Sequence, residues 1–187
     1  MPTLKKLNQM TGKKLHLGCG KNYFEGWVNA DISKNVKADK YFDFENKRWP
    51  FKDNEFDIVY SGNVLEHLSD TVSVAKELWR ITKQEGLILI SVPYATSFAN
   101  FRDPTHKSRF SKHTFSYFTE DNEFNFYSDI RFEVKSRIHY FGHPDYLKVF
   151  NYLIDPFINF FWKIYEMKFA YIFPSDEIIY ELRPIKK

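Results

Sequence analysis

Short apolar runs alternate with polar punctuation along the first half of this chain, and most are too brief for helices. Leu15-His16-Leu17 leads into a glycine turn, which sets a first strand over 14–18. Residues 27–32 make a second strand, 39–44 a third ending near Asp43, and 56–60 a fourth. The crossover 21–26 is too short for a long helix. From Val64 to Gln84 the period changes. Leu65, Leu68, Val72, Ala75, Leu78, Trp79 and Ile81 recur at helical spacing, with Asp70 as the N-cap of the main part and Gly86 as terminator. Residues 87–92 are almost continuously apolar, which suits a strand buried on both faces of a parallel sheet.

The second half begins with a long polar-aromatic connection, 93–129, carrying short helices. Residues 130–141 and 177–183 read as strands and 146–173 as helix. On a helical wheel, Lys148, Asn151, Asp155, Asn159, Lys163 and Glu166 share a polar sector of about 120°. The other face carries Phe150, Leu153, Ile154, Phe157, Ile158, Phe161, Trp162, Ile164 and Tyr165. The plain reading lays that apolar face on the sheet or on a second subunit in a homodimer. The sharper reading is a membrane-surface contact through 148–173. Asp155-Pro156 predicts a helix restart, with Asp155 as N-cap and Pro156 at the first helical position. The interspersed charges argue against a membrane-spanning helix.

Strands alternating with crossovers define the fold class: α/β, a Rossmann-like open, mostly parallel sheet with helices on both faces and an aromatic-rich helical cap. The chain reads as one domain over 1–187. Residues 1–92 form a cofactor-binding half, and 93–187 an acceptor-side cap with the final strands.

Composition narrows the picture. The 187 residues are 43% hydrophobic, enough for a real core. The 27 Lys and Arg against 24 Asp and Glu leave a net +3, too little to point to nucleic acid. Cys19 is the sole cysteine, so no internal disulfide or thiolate metal cage can form. No His, Cys, Asp and Glu group has metal-ligand spacing. The first ten residues lack the apolar core of a signal peptide, so a cytoplasmic location is expected.

The candidate chemistry sits at strand ends, where open α/β sheets bind ligands. Gly18 and Gly20 permit a tight turn and close backbone approach. Asp31, ending the second strand, can accept hydrogen bonds from two ribose hydroxyls. Asp43-Phe44 offers an acceptor for an exocyclic amine and a ring for stacking. Ser61-Gly62-Asn63 brings backbone and amide groups to the same rim. Each alone also fits an ordinary turn or surface loop. Tyr23 in place of a last glycine weighs against a dinucleotide.

In order, Leu15-His16-Leu17-Gly18-Cys19-Gly20, Trp27-Val28-Asn29-Ala30-Asp31-Ile32, the stretch Trp49 to Ser61 and Val64-Leu65-Glu66-His67-Leu68 resemble the class I S-adenosylmethionine-dependent methyltransferases. More narrowly, they resemble the branch labelled methyltransferase type 11, or UbiE-like. The resemblance covers roughly the first half of the chain. It implies S-adenosylmethionine as cofactor. The implied cofactor residues are His16, Gly18, Cys19, Gly20, Asp31, Ile32, Asp43, Phe44, Ser61 and Asn63. His16 stands where the family often carries an acid, and Asn22 where a third glycine is common.

Methyl transfer to oxygen or nitrogen can need a base, and histidine suits that role near neutral pH. His67 lies at the implied methyl end. His106 lies in the loop after the fifth strand, where Asp103-Pro104-Thr105-His106 with Arg109-Phe110 resembles relatives of glycan-modifying methyltransferases. Asp103 is expected to orient His106. Arg102, Lys107 and Arg109 suit an anionic acceptor. The expected activity is methyl transfer to a small-molecule or glycan-type acceptor. The alternatives are a non-catalytic binding or assembly module on the same fold and, more remotely, a nicotinamide oxidoreductase.

Overall fold

A computed structural model of the chain describes residues 4–139 and 149–186. A short helix, α1 (Leu4–Gln9), precedes β1 (Lys14–Leu17), β2 (Val28–Asp31), β3 (Lys40–Tyr41) and β4 (Phe56–Gly62). Then come a 3-10 turn at Leu65–His67, α2 (Thr71–Ile81), β5 (Thr82–Pro93) and α3 (Ala99–Arg102). β6 (Arg131–His139), α4 (Asn151–Phe160), α5 (Trp162–Ile164), a π-helical turn at Tyr165–Phe169 and β7 (Glu177–Ile185) complete the chain. The predicted strand end at 140–141, helix start at 146–148 and residues His143 and Lys148 lie outside the described residues.

The seven strands form one sheet in the order β3-β2-β1-β4-β5-β7-β6. β1 to β5 pair in parallel, while β7 runs antiparallel to both β5 and β6. β5 lies between parallel β4 and antiparallel β7, and its apolar residues alternate between two cores. Ile88, Ile90 and Val92 enter the larger one with Leu78 and Ile81 of α2. Leu87 and Leu89 join Leu7 of α1, Trp27 and Ile58 on the other face. Helices therefore cover both faces, as the binary pattern implies.

Three helix boundaries differ from the sequence reading. The periodic stretch from Val64 splits at Leu68, whose extended backbone ends the 3-10 turn. Asp70 caps α2 as expected, its carboxylate accepting from the Ser73 N–H at 2.9 Å. The helix ends at Ile81, not at Gly86. Thr82 takes an extended conformation and pairs with Phe56, so tertiary pairing overrides helical propensity and Gly86 becomes a strand residue. Asp155 and Pro156 do not restart a helix. Both lie inside α4, and Asp155 is fully buried with its carboxylate 2.6 Å from His139 Nδ1.

Of the placements expected for the second-half helix, packing of its apolar face on the sheet is inverted. Asn151 and Asp155 are buried, and Asn159 accepts from the Ile138 N–H at 2.9 Å while donating to the Ile138 carbonyl at 2.7 Å. β6 is the open edge of the sheet, so its spare backbone groups draw the polar side of α4 inward. Leu153, Phe157 and Phe161 consequently face outward. Ile158 and Tyr165 are apolar residues of this segment that stay buried.

Candidate functional site

Strand order reverses between β1 and β4, so a crevice opens at their carboxyl ends. Gly18 follows β1 there with φ +69°, and its N–H and that of Cys19 both donate to the Ala30 carbonyl, at 2.8 and 3.1 Å. The turn is thereby tied to β2. A Cβ at Gly18 would lie 2.1 Å from Val64 Cγ2, so only glycine lets the two segments meet. Gly20, at φ +50°, faces open space where a Cβ would meet no atom within 4 Å.

Asp31 closes the far side. One carboxylate oxygen accepts from the Gly20 N–H at 2.7 Å and the other from the Ser33 N–H at 2.8 Å. Each oxygen keeps a second lone pair, so the oriented carboxylate can still receive two hydroxyls. A cavity of about 430 Å³ opens beside it. Ile32, more than half exposed, Phe44 and Leu68 give it apolar surface, while Asp43, Glu45 and Lys107 give it polar groups. Gly18, Gly20, Asn63, Val64 and His67 complete the lining.

Gly18 and Asn63 also border a second cavity of about 570 Å³, lined by His16, Cys19, Phe24 and Tyr60 among others. Asn63 adopts φ +55°, a conformation asparagine tolerates better than most residues. The His16 ring stacks on Phe24 at 4.0 Å, and burial pushes its pKa down to about 4, so it is neutral at pH 7. Cys19 is buried, its Sγ 3.6 Å from the Lys37 carbonyl, and burial pushes its thiol pKa up. Ser61 is fully buried within β4 and lines neither cavity.

His67 carries the first cavity toward the 99–109 loop. Its ring meets His106 edge-on, with centroids 4.8 Å apart. The hydrogen-bond network assigns both tautomers. Asn100 Nδ2 donates to the Tyr94 carbonyl at 2.6 Å, which turns its Oδ1 to His106 Nδ1 at 3.2 Å. His106 Nδ1 therefore carries hydrogen, and neutral His106 has its lone pair on Nε2. Thr105 Oγ1 donates to Asp103 at 2.6 Å and so accepts from His67 Nδ1 at 2.9 Å. Burial and the neighbouring His67 hold the His106 pKa below its ordinary value. The hydrogen bonds from Thr105 hold Asp103 low. Asp103 thus orients His67 through Thr105, while Asn100 holds His106 and Asp103 Oδ2 stays 3.7 Å from His106 Nε2.

Glu66 sits behind the pair. It is 1% exposed, its Oε2 has no partner among the described residues, and burial raises its pKa to about 7. One ligand atom each from Glu66, His67 and His106 falls within 4.8 Å of the others. Two imidazoles and a carboxylate are thus available to a cation, a grouping invisible in the sequence spacing. Asn100, Thr105 and Glu45 also escaped the sequence reading as site residues. The Asp103-to-His106 motif was the only pointer to Thr105, and nothing local marks Asn100.

The topology defines the class: an open, mostly parallel Rossmann-like α/β sheet with a crevice at its β1–β4 switch point. Residues 15–90 match a family model described as a methyltransferase domain. The cofactor that this match implies is S-adenosylmethionine. The fold is similar to that of an S-adenosylmethionine-dependent methyltransferase from Archaeoglobus fulgidus: 20% identity, 91% of this chain, 85% of that chain, TM-score 0.57. It is also similar to one from Mesorhizobium loti, at 12% identity, with 92% and 90% coverage and TM-score 0.56. A phosphoethanolamine N-methyltransferase from Haemonchus contortus, in complex with phosphomonomethylethanolamine and S-adenosylhomocysteine, matches at 16% identity and TM-score 0.56. That match covers 98% of this chain and 51% of the other. No curated protein matches the sequence.

The residues present fit this cofactor. Asp31 keeps two acceptor positions, and Gly20 leaves open the volume a side chain would fill.

Proposed function

We propose that the chain methylates an oxygen or nitrogen of a small polar acceptor of the sugar type, with His106 as the base. The observation that carries this reading is the convergence at one rim. Asp31, the glycine turn and His67 line a single cavity, and His67 contacts His106.

Bound S-adenosylmethionine supplies an electrophilic methyl group on a sulfonium, open to in-line displacement. Asp31 would hold the ribose hydroxyls, Ile32 and Phe44 the adenine faces, and Asp43 its amine. The Gly18-to-Gly20 turn and Asn63 would hold the amino-acid end toward the His16 cavity. His106 Nε2 takes the acceptor's proton, since Asn100 holds Nδ1 as the donor. Its depressed pKa keeps that lone pair free at neutral pH. His67, oriented by Thr105 and Asp103, is a second polar contact for the acceptor. Lys107 on the cavity wall, with Arg102 and Arg109 exposed on the same loop, favours an acceptor bearing negative charge.

Calorimetry with S-adenosylmethionine and transfer of labelled methyl groups to extract fractions test this. Asp31→Ala is expected to abolish binding. His106→Ala is expected to keep binding and to lose transfer about a hundredfold or more. Unchanged binding by Asp31→Ala, or full transfer by His106→Ala, overturns the assignment.

A further inference from the structure

The inverted packing of the second-half helix leaves an apolar ledge. Thirteen of the 23 exposed large apolar side chains among the described residues fall between 149 and 173. Phe157 and Phe160 are 66% and 78% exposed, and Tyr152 and Tyr171 each 82%. Soluble surfaces seldom tolerate so many neighbouring apolar groups without a partner.

The charges on this stretch sort by sign. Its two acids turn toward the protein. Asp155 lies buried against His139 and near Arg137, and Glu166 accepts from Tyr94 Oη and the Lys112 N–H, both at 2.9 Å. The two lysines, Lys163 and Lys168, are exposed beside the aromatic groups. A second copy docking by this ledge would set lysine against lysine, with no acid of the segment exposed to pair with them. A bilayer surface with anionic headgroups would receive the rings at its acyl boundary and the lysines among its phosphates.

We infer that residues 149–173 form a docking surface for an anionic lipid bilayer, on which the protein lies without crossing. No described helix is long and apolar enough to span a membrane. The ledge connects directly to the acceptor side: Trp162 contacts His113 with ring centroids 4.9 Å apart, and Glu166 bonds Tyr94, whose carbonyl anchors Asn100. Docking would therefore bring the His106 loop near the bilayer. The inference stands independently of the acceptor proposed above.

The test is co-sedimentation of the full chain with vesicles of phosphatidylcholine alone and of phosphatidylcholine with phosphatidylglycerol. The protein is expected to sediment with the anionic vesicles. Phe157→Ser with Phe160→Ser should weaken binding at least tenfold. Lys163→Glu with Lys168→Glu should also weaken it at least tenfold, from about fivefold per lysine. All four side chains are exposed, so S-adenosylmethionine affinity should stay at the wild-type value, which separates lost docking from misfolding. Absence of binding, equal binding to both vesicle types, or indifference to the phenylalanine pair overturns the inference. So does a stable dimer in sedimentation velocity that the phenylalanine substitutions dissolve.

Discussion

The two glycines of the cofactor turn should fail in different ways when replaced by alanine. Both have positive φ, which costs a residue with a Cβ about 1–2 kcal/mol. Gly18→Ala adds a contact of 2.1 Å to Val64 Cγ2, a branch that cannot swing away freely because Val64 is 9% exposed. Forcing it apart costs about 1–3 kcal/mol more, for a total of about 2–5 kcal/mol. Gly20→Ala meets no atom within 4 Å and should cost about 1–2 kcal/mol. Its methyl group enters the proposed cofactor cavity instead, so its loss should appear in S-adenosylmethionine affinity. Urea denaturation gives the stabilities and calorimetry the affinities. A cycle with Val64→Ala isolates the clash and should return at least about 1 kcal/mol of coupling. Equal destabilisation by the two substitutions, or zero coupling to Val64, would refute the reasoning.

Three further outcomes are expected. His16 has a folded pKa of about 4 against 6.5 for the free side chain, so the unfolded chain binds the proton first as pH falls. Its contribution is complete above pH 6.5 and is lost between pH 6.5 and 4, about 3 kcal/mol in all. Denaturation across that range should show the slope in wild type and a flatter profile in His16→Phe. Glu77→Ala removes a buried carboxylate that accepts from the Trp49 N–H at 2.6 Å and from Arg80 Nε and Nη2 at 2.7 and 2.6 Å. It should cost about 3–5 kcal/mol, and a loss under about 1 kcal/mol in urea denaturation would contradict the buried clip. Asn100→Ala frees the His106 ring and should lower kcat about tenfold to a hundredfold, leaving cofactor affinity intact. Its pH–rate profile should lose definition on the acid side, and an unchanged profile would remove Asn100 from the positioning role.

Much of the cofactor half was legible because each feature is local. A glycine turn after a short strand, an acid ending the next strand and a capped helix need only neighbouring residues to be recognised. Hence Gly18, Gly20, Asp31, Ile32, Asp43 and Phe44 appear together on one cavity wall. The limits of α2 were less legible, because pairing of Thr82 with Phe56 joins residues far apart in sequence. His106 and Asp103 were visible as a motif. Their partners were not, since the Asn100 contact depends on the loop folding back to Tyr94.

The chain's own order of residues determined the class of fold and pointed to the cofactor and to the rim proposed to hold it, because strand-end chemistry is written in short patterns. Only the tertiary structure decided which way the second-half helix faces. A helical wheel ranks sides by polarity and takes the apolar side as inward. An open sheet edge reverses that choice, because the unpaired N–H and C=O of Ile138 are costlier to leave bare than phenylalanine rings are to expose. The same folding gathered Glu66, His67, Asn100 and His106, distant along the chain, into one polar site.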